Sequence, residues 1–127
     1  MWEKPDLVHG VLTKWLWVAW YPEHLLIMEN TDIGAFTYIQ AEFGVSIGTN
    51  VQIGAHCAIY SRSTIDDKSG KVTICRDAKI GSHCTIMPGV TIGEGAIVGA
   101  HSFVNCDVPA GETWFGVPAS WRVAKGA

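Results

Sequence analysis

The stretch IGSHCTIMPGVTIGEGAIVGAHSFVN, Ile80 to Asn105, returns an aliphatic residue at every sixth place: Ile80, Ile86, Ile92, Val98 and Val104. An amphipathic helix repeats near 3.6 residues and a strand at two, so a period of six is neither alone. It is three strand periods, which suits a short strand followed by a corner, repeated without change of register. Outward from this stretch the frame runs back to Ile74 and breaks over Ser61 to Lys71, SRSTIDDKSGK. It resumes in a shifted frame at Ile47, Ile53, Ile59 and Ile65, and a second slip near EFGVS separates these from Ile27, Ile33 and Ile39. About thirteen hexads result.

The second place of the hexad is often glycine (Gly34, Gly48, Gly54, Gly81, Gly93, Gly99). The fifth is small or β-branched: Thr37, Val51, Cys57, Ala78, Cys84, Val90, Ala96 and Ser102. Glycine tolerates positive φ or a crowded corner, so its return marks regular corners. The aliphatic and the small residue together fill one narrow interior. Three hexads make an 18-residue triangular coil, and coils stacked at about 4.8 Å give a prism of a little over four coils, roughly 20 Å tall.

The chain of 127 residues, with 48% hydrophobic and 17% charged residues, reads as one globular domain. A net charge of −3 without a basic run argues against nucleic acid. No signal peptide is expected, since Met1 to Asp6 leads into a broken apolar run. The aromatic segment Val11 to Tyr21 is interrupted by Lys14 and closed by Pro22, too short for a membrane span. Cys57, Cys75, Cys84 and Cys106 form no C-x-x-C pair. Cys57 and Cys84, at equivalent small-residue places of the repeat, are expected as packed, reduced thiols of a cytoplasmic protein, and no metal is expected.

The iterated [Ile/Val]-Gly-x-x-[small]-x pattern, closing in VPAGETWFGVPAS, resembles the hexapeptide-repeat acyltransferases over roughly Ile27 to Arg122. The resemblance implies an all-β, left-handed parallel β-helix. Residues 1–26 are expected as an N-terminal cap, 27–109 as the repeat with a loop at 61–71, and 110–127 as an extended tail. It further implies a homotrimer with grooves between subunits, and transfer of acetyl from acetyl-CoA to a sugar or nucleotide-sugar.

By the same resemblance Ser82 and Ala100, 18 residues apart, present backbone groups to the pantetheine arm of acetyl-CoA. Asn105 and Arg122 are further candidates for the coenzyme. Arg122 stands two places beyond Ser120, where relatives carry Lys or Arg. Relatives often place a histidine base on the interrupting loop, which here holds none. His56 is therefore the preferred base, with Asp66, Asp67 and His83 next. Tyr38, Gln40 and Glu42, spaced by two, would share a strand face where relatives grip the acceptor. Two alternatives stand beside this reading. One is a non-catalytic trimeric scaffold. The other is a γ-type carbonic anhydrase-like zinc protein, although no His-x4-His occurs.

Overall fold

The computed structural model describes residues 1–122, the side chain of Arg122 excepted, so the role suggested for that guanidinium and the last residues of the expected tail lie outside the described residues. Short parallel strands stack into three sheets that form the faces of a prism. The first sheet holds Val18–Trp20, Tyr38–Gln40, Ala58–Tyr60, Thr85–Ile86 and Phe103–Val104. The second holds Leu25–Ile27, Val45–Ile47, Val72–Ile74 and Thr91–Ile92. The third holds Asp32–Ile33, Gln52–Ile53, Lys79–Ile80, Ile97–Val98 and Thr113–Gly116. Ala119–Arg122 returns antiparallel to Thr113–Gly116. The chain is a parallel β-helix of about five turns.

The interior is built as the period requires. Ile39, Ile47, Ile59, Ile74, Ile86 and Ile92 are fully buried, and so are the small fifth-place residues Thr37, Val51, Cys57, Ala78, Cys84, Val90, Ala96 and Ser102. Hydroxyls in that position are paired: Thr37 Oγ1 donates to the Gly54 carbonyl at 2.9 Å, and Ser102 Oγ to the Gly99 carbonyl at 2.6 Å. The glycine that follows the aliphatic residue answers to close approach. A Cβ on Gly81 would lie 2.6 Å from the Ala100 nitrogen in the next coil.

Three expectations are corrected. The boundary at residue 26 is too late, because Val18–Trp20 pairs in parallel with Tyr38–Gln40 and buries Ala19 in the aliphatic position. Twenty residues separate Ala19 from Ile39, and Ile39 from Ile59, so these coils carry two extra corner residues and fall out of the six-residue frame. The segment after residue 110 continues the third sheet, with Trp114 in register with Val98, before folding back as a hairpin. Ile65 belongs to no hexad. It is 98% exposed at the tip of a hairpin made by Arg62–Ser63 and Lys68–Ser69. At the open N-terminal end, Trp17 is buried in the core and Trp2 Nε1 donates to the Thr31 carbonyl at 2.9 Å, closing the first coil. Among the described residues no helix is long and apolar enough to cross a membrane.

Candidate active site

The hairpin at 62–69 leans over the outer side of the first sheet and encloses a recess of roughly 580 Å³. Tyr38, Gln40, Glu42, Tyr60, Arg62, Asp66 and Met87 are among the residues that line it. Tyr38 and Gln40 share the outward side of one strand because the residue between them, Ile39, is fully buried. Tyr60 stands opposite Gln40 one coil on. The rings of Tyr38 and Tyr60 lie 5.6 Å apart, and Trp20 extends the row at 6.5 Å from Tyr38. Burial, then the neighbouring Tyr60 and Tyr21, pushes the Tyr38 phenol up from its ordinary value.

The extra corner residues of the long coil hold the carboxylate of this recess. Gln40 Nε2 donates to Glu42 Oε1 at 3.1 Å, and Arg62 reaches Glu42 Oε2 at 3.2 Å. Asp66 lines the recess from the hairpin, where a hydrogen bond with Ser63 holds its carboxyl below the ordinary carboxylate value. Asp67 takes the left-handed turn position beside it, φ 53°, and is not part of the lining.

The histidines occupy another place. His56, His83 and His101 stack along the corner that leads into the first sheet, with ring centroids 4.8 and 4.7 Å apart and interplanar angles of 15° and 13°. Phe36 continues the column at 5.2 Å from His56. Each of the three histidines has φ near +60° and an exposed ring. None of them lines the recess of its own chain. Among the described residues no three histidine, cysteine, aspartate or glutamate side chains gather as a metal-ligand set.

Ser82 and Ala100 are stacked in consecutive coils just before His83 and His101, and the Ser82 carbonyl accepts the His101 N–H at 2.9 Å. A shallow groove of roughly 390 Å³ crosses the third sheet past Gly54, Gly81, Gly99 and Ala100, with Lys79 beside it. Asn105 extends the outward column that holds Gln40, Tyr60 and Met87: Ile86 pairs with Val104, which sets Met87 beside Asn105. Sequence reading missed Tyr60, Arg62, Met87 and Lys79. The first two follow Gln40 and Glu42 by twenty residues, the length of the long coil, and that spacing was the available signal.

Two family models match. One described as bacterial transferase hexapeptide (six repeats) covers residues 71–106, and one described as hexapeptide repeat of succinyl-transferase covers 27–61. Together they take in more than half of the chain. Galactoside O-acetyltransferase of Escherichia coli (strain K12) is 35% identical over 117 residues, covering 79% of this chain and 58% of that protein. UDP-3-O-acylglucosamine N-acyltransferase of Rhizobium meliloti (strain 1021) is 41% identical over 92 residues, covering 72% of this chain and 25% of that protein. A hexapeptide-repeat acetyltransferase of Vibrio cholerae O1 biovar eltor, in a structure complexed with acetyl-CoA, superposes with a TM-score of 0.78 at 28% identity. That match covers 83% of this chain and 62% of the other. The chain thus spans from about a fifth to under two thirds of the length of these curated relatives.

Proposed function

The chain belongs to the hexapeptide-repeat acyltransferases, and from that premise we propose that it moves an acetyl group from acetyl-CoA to a hydroxyl or amine of a sugar or nucleotide-sugar. The observation that carries the proposal is the recess on the first sheet. It offers two neighbouring tyrosine rings, 5.6 Å apart and tilted by 48° to each other, as an aromatic wall for a pyranose, beside the carboxylates of Glu42 and Asp66, suited to its hydroxyl or amino groups. The likeness to galactoside O-acetyltransferase supports a sugar acceptor. The likeness to the structure complexed with acetyl-CoA supports the donor. The groove beside Ala100 suits a thin arm such as pantetheine, because the coils at Gly54 and Gly81 pack too closely for a side chain at either position. Lys79 there and the backbone of Ser82 and Ala100 are assigned to the coenzyme, with Asn105 at the recess side.

In this reading the acceptor's lone pair attacks the thioester carbon. The C–S bond breaks, and the proton released by the acceptor passes through a base to the departing thiolate. Asp66 is a weak candidate for that base, since its hydrogen bond with Ser63 favours the ionised form. His56 is assigned the role. Its exposed ring lies on an edge of the prism, and the homotrimer expected of the family would carry it to the recess of a neighbouring copy.

Calorimetric titration of acetyl-CoA, followed by a screen of amino- and hydroxy-sugars, tests the proposal. The expected result is saturable binding near one molecule per subunit and turnover with at least one acceptor. Binding without turnover by any acceptor would favour the non-catalytic scaffold, and absence of binding at millimolar ligand would remove acetyl-CoA from the reading.

A further inference from the structure

The carboxylate of Glu42 is held by more of the molecule than its surface position requires. Ser61, fully buried where the hairpin leaves the coil, donates its Oγ to Gln40 Oε1 at 2.8 Å and accepts the Phe43 N–H at 3.0 Å. Gln40 Oε1 also accepts the Glu42 N–H at 3.2 Å. A backbone N–H can only donate, so the Gln40 carboxamide must turn its oxygen toward it and its NH2 toward the Glu42 carboxylate, where Nε2 donates at 3.1 Å. The Glu42 carbonyl is pinned in turn by His24 Nδ1 at 2.9 Å. Arg62 reaches the same carboxylate, within 3.4 Å of Oε1 and 3.2 Å of Oε2. That pair is partly open to solvent, with side-chain exposures of 43% for Arg62 and 26% for Glu42.

We propose that Gln40, locked by the buried Ser61, is a positioning residue that presents the Glu42 carboxylate to the acceptor, with Arg62 as the exchangeable partner that holds the carboxylate until the acceptor's hydroxyl or amino hydrogen takes its place. This rests on the acceptor site assigned above. The division of labour follows from burial. The Ser61–Gln40 bond is sheltered and sets one orientation of the amide, whereas the Arg62–Glu42 pair is screened by water and yields to a competitor at small cost. Glu42 touches the acceptor, while Ser61 and Gln40 act through it.

Gln40→Glu is the discriminating variant. It keeps the shape and an oxygen for Ser61 and for the Glu42 N–H, but sets a second carboxylate against Glu42. The expected result is a KM for the acceptor raised about tenfold or more at pH 8, the loss of one hydrogen bond to a charged group plus like-charge repulsion. The KM for acetyl-CoA stays unchanged and kcat stays within about threefold, the pattern of lost uniform binding. The penalty should shrink toward pH 5 as one of the two facing carboxylates takes a proton. A residue that merely held the fold together would not give such a pH profile. Ser61→Ala, which changes no charge, should raise the acceptor KM about three- to tenfold without that pH dependence.

Wild-type protein that turns over no acceptor overturns the function proposed above. Wild-type turnover with an acceptor KM that Gln40→Glu leaves within twofold at every pH overturns the positioning role alone. A variant that weakens both substrates equally assigns Gln40 to the fold and also overturns it.

Discussion

Replacing His56 by asparagine separates chemistry from architecture at this corner. The residue sits at φ 59°, where most side chains are strained, so an alanine variant would mix loss of the imidazole with a backbone change. Asparagine is at ease there, as this chain shows at Asn30 and Asn50, φ 59° and 61°. What Asn removes is the ring's stacking on His83 at 4.8 Å and its tilted contact with Phe36 at 5.2 Å. Aromatic pairs contribute about 0.5–1.5 kcal/mol each, and these rings are exposed, so the lower end applies. With the backbone more comfortable, the net loss is about 1 kcal/mol or less, a fall of roughly 3–5 °C in Tm for a chain of this length. Loss of a general base costs about a hundredfold or more in kcat, close to 3 kcal/mol of transition-state stabilisation. The kinetic effect therefore exceeds what the structural one can produce.

The assay is loss of thioester absorbance under saturating acetyl-CoA and acceptor, beside thermal denaturation at the same protein concentration, since subunit association would shift Tm. His101→Asn is the internal control. It has the same corner geometry, φ 61°, and loses a stack on His83 at 4.7 Å, but has no assigned part in proton transfer. Its rate should stay within a few-fold of wild type. A His56→Asn enzyme within threefold of wild type refutes the assignment of the base, and equal losses in both variants would mean that the column acts only as structure.

Other outcomes follow from the packing. Gly81→Ala puts a Cβ 2.6 Å from the Ala100 nitrogen and should cost about 2–3 kcal/mol in denaturant unfolding, whereas Gly89→Ala meets nothing within 4 Å and should cost about 1 kcal/mol, from its φ of +80° alone. Spectrophotometric titration should show a tyrosine phase above the ordinary tyrosine value, and Tyr38→Phe should abolish it. The sign for stability is a loss as pH climbs past the ordinary tyrosine value, because the unfolded chain releases that proton first. Thiol labelling should modify the exposed Cys106 at once and reach Cys57 only on unfolding, since its hydrogen bond with Cys84 and its burial both push that thiol up.

How far the sequence reveals the fold depends on whether neighbouring coils have equal length. From Ile74 to Val104 each aliphatic residue repeats at six, the coils stack at 18, and the pattern reads directly into three faces. Ala19 was hidden because its coil is two residues longer and because alanine, flanked by Val18 and Trp20, does not look like the residue filling an aliphatic position. Ile65 misled for the opposite reason. It keeps the spacing of six from Ile59, yet the hairpin has already left the coil at Arg62. The recess was half legible. Tyr38 and Gln40 share one strand, so alternation finds them, while Tyr60 and Arg62 join them only through the stacking of a second coil.

The corners show where local chemistry stops deciding the sequence. One corner column runs Asn30, Asn50, Asp77, Gly95 and Gly111, the residue types that accept positive φ readily. The column entering the first sheet has the same backbone geometry but carries Leu16, Phe36, His56, His83 and His101, with φ between 59° and 69°. For Leu16 and Phe36 that conformation costs about 1 kcal/mol or more each. Burial gives no return for it, since all five side chains are exposed. Local propensity would place asparagine or glycine at these positions, as it does at the other corner. Apart from the ring contacts along the column itself, backbone strain kept on an exposed edge fits the proposal that this column faces a neighbouring copy. That is the physical ground for looking to this column, rather than to the hairpin, for the group that moves the proton.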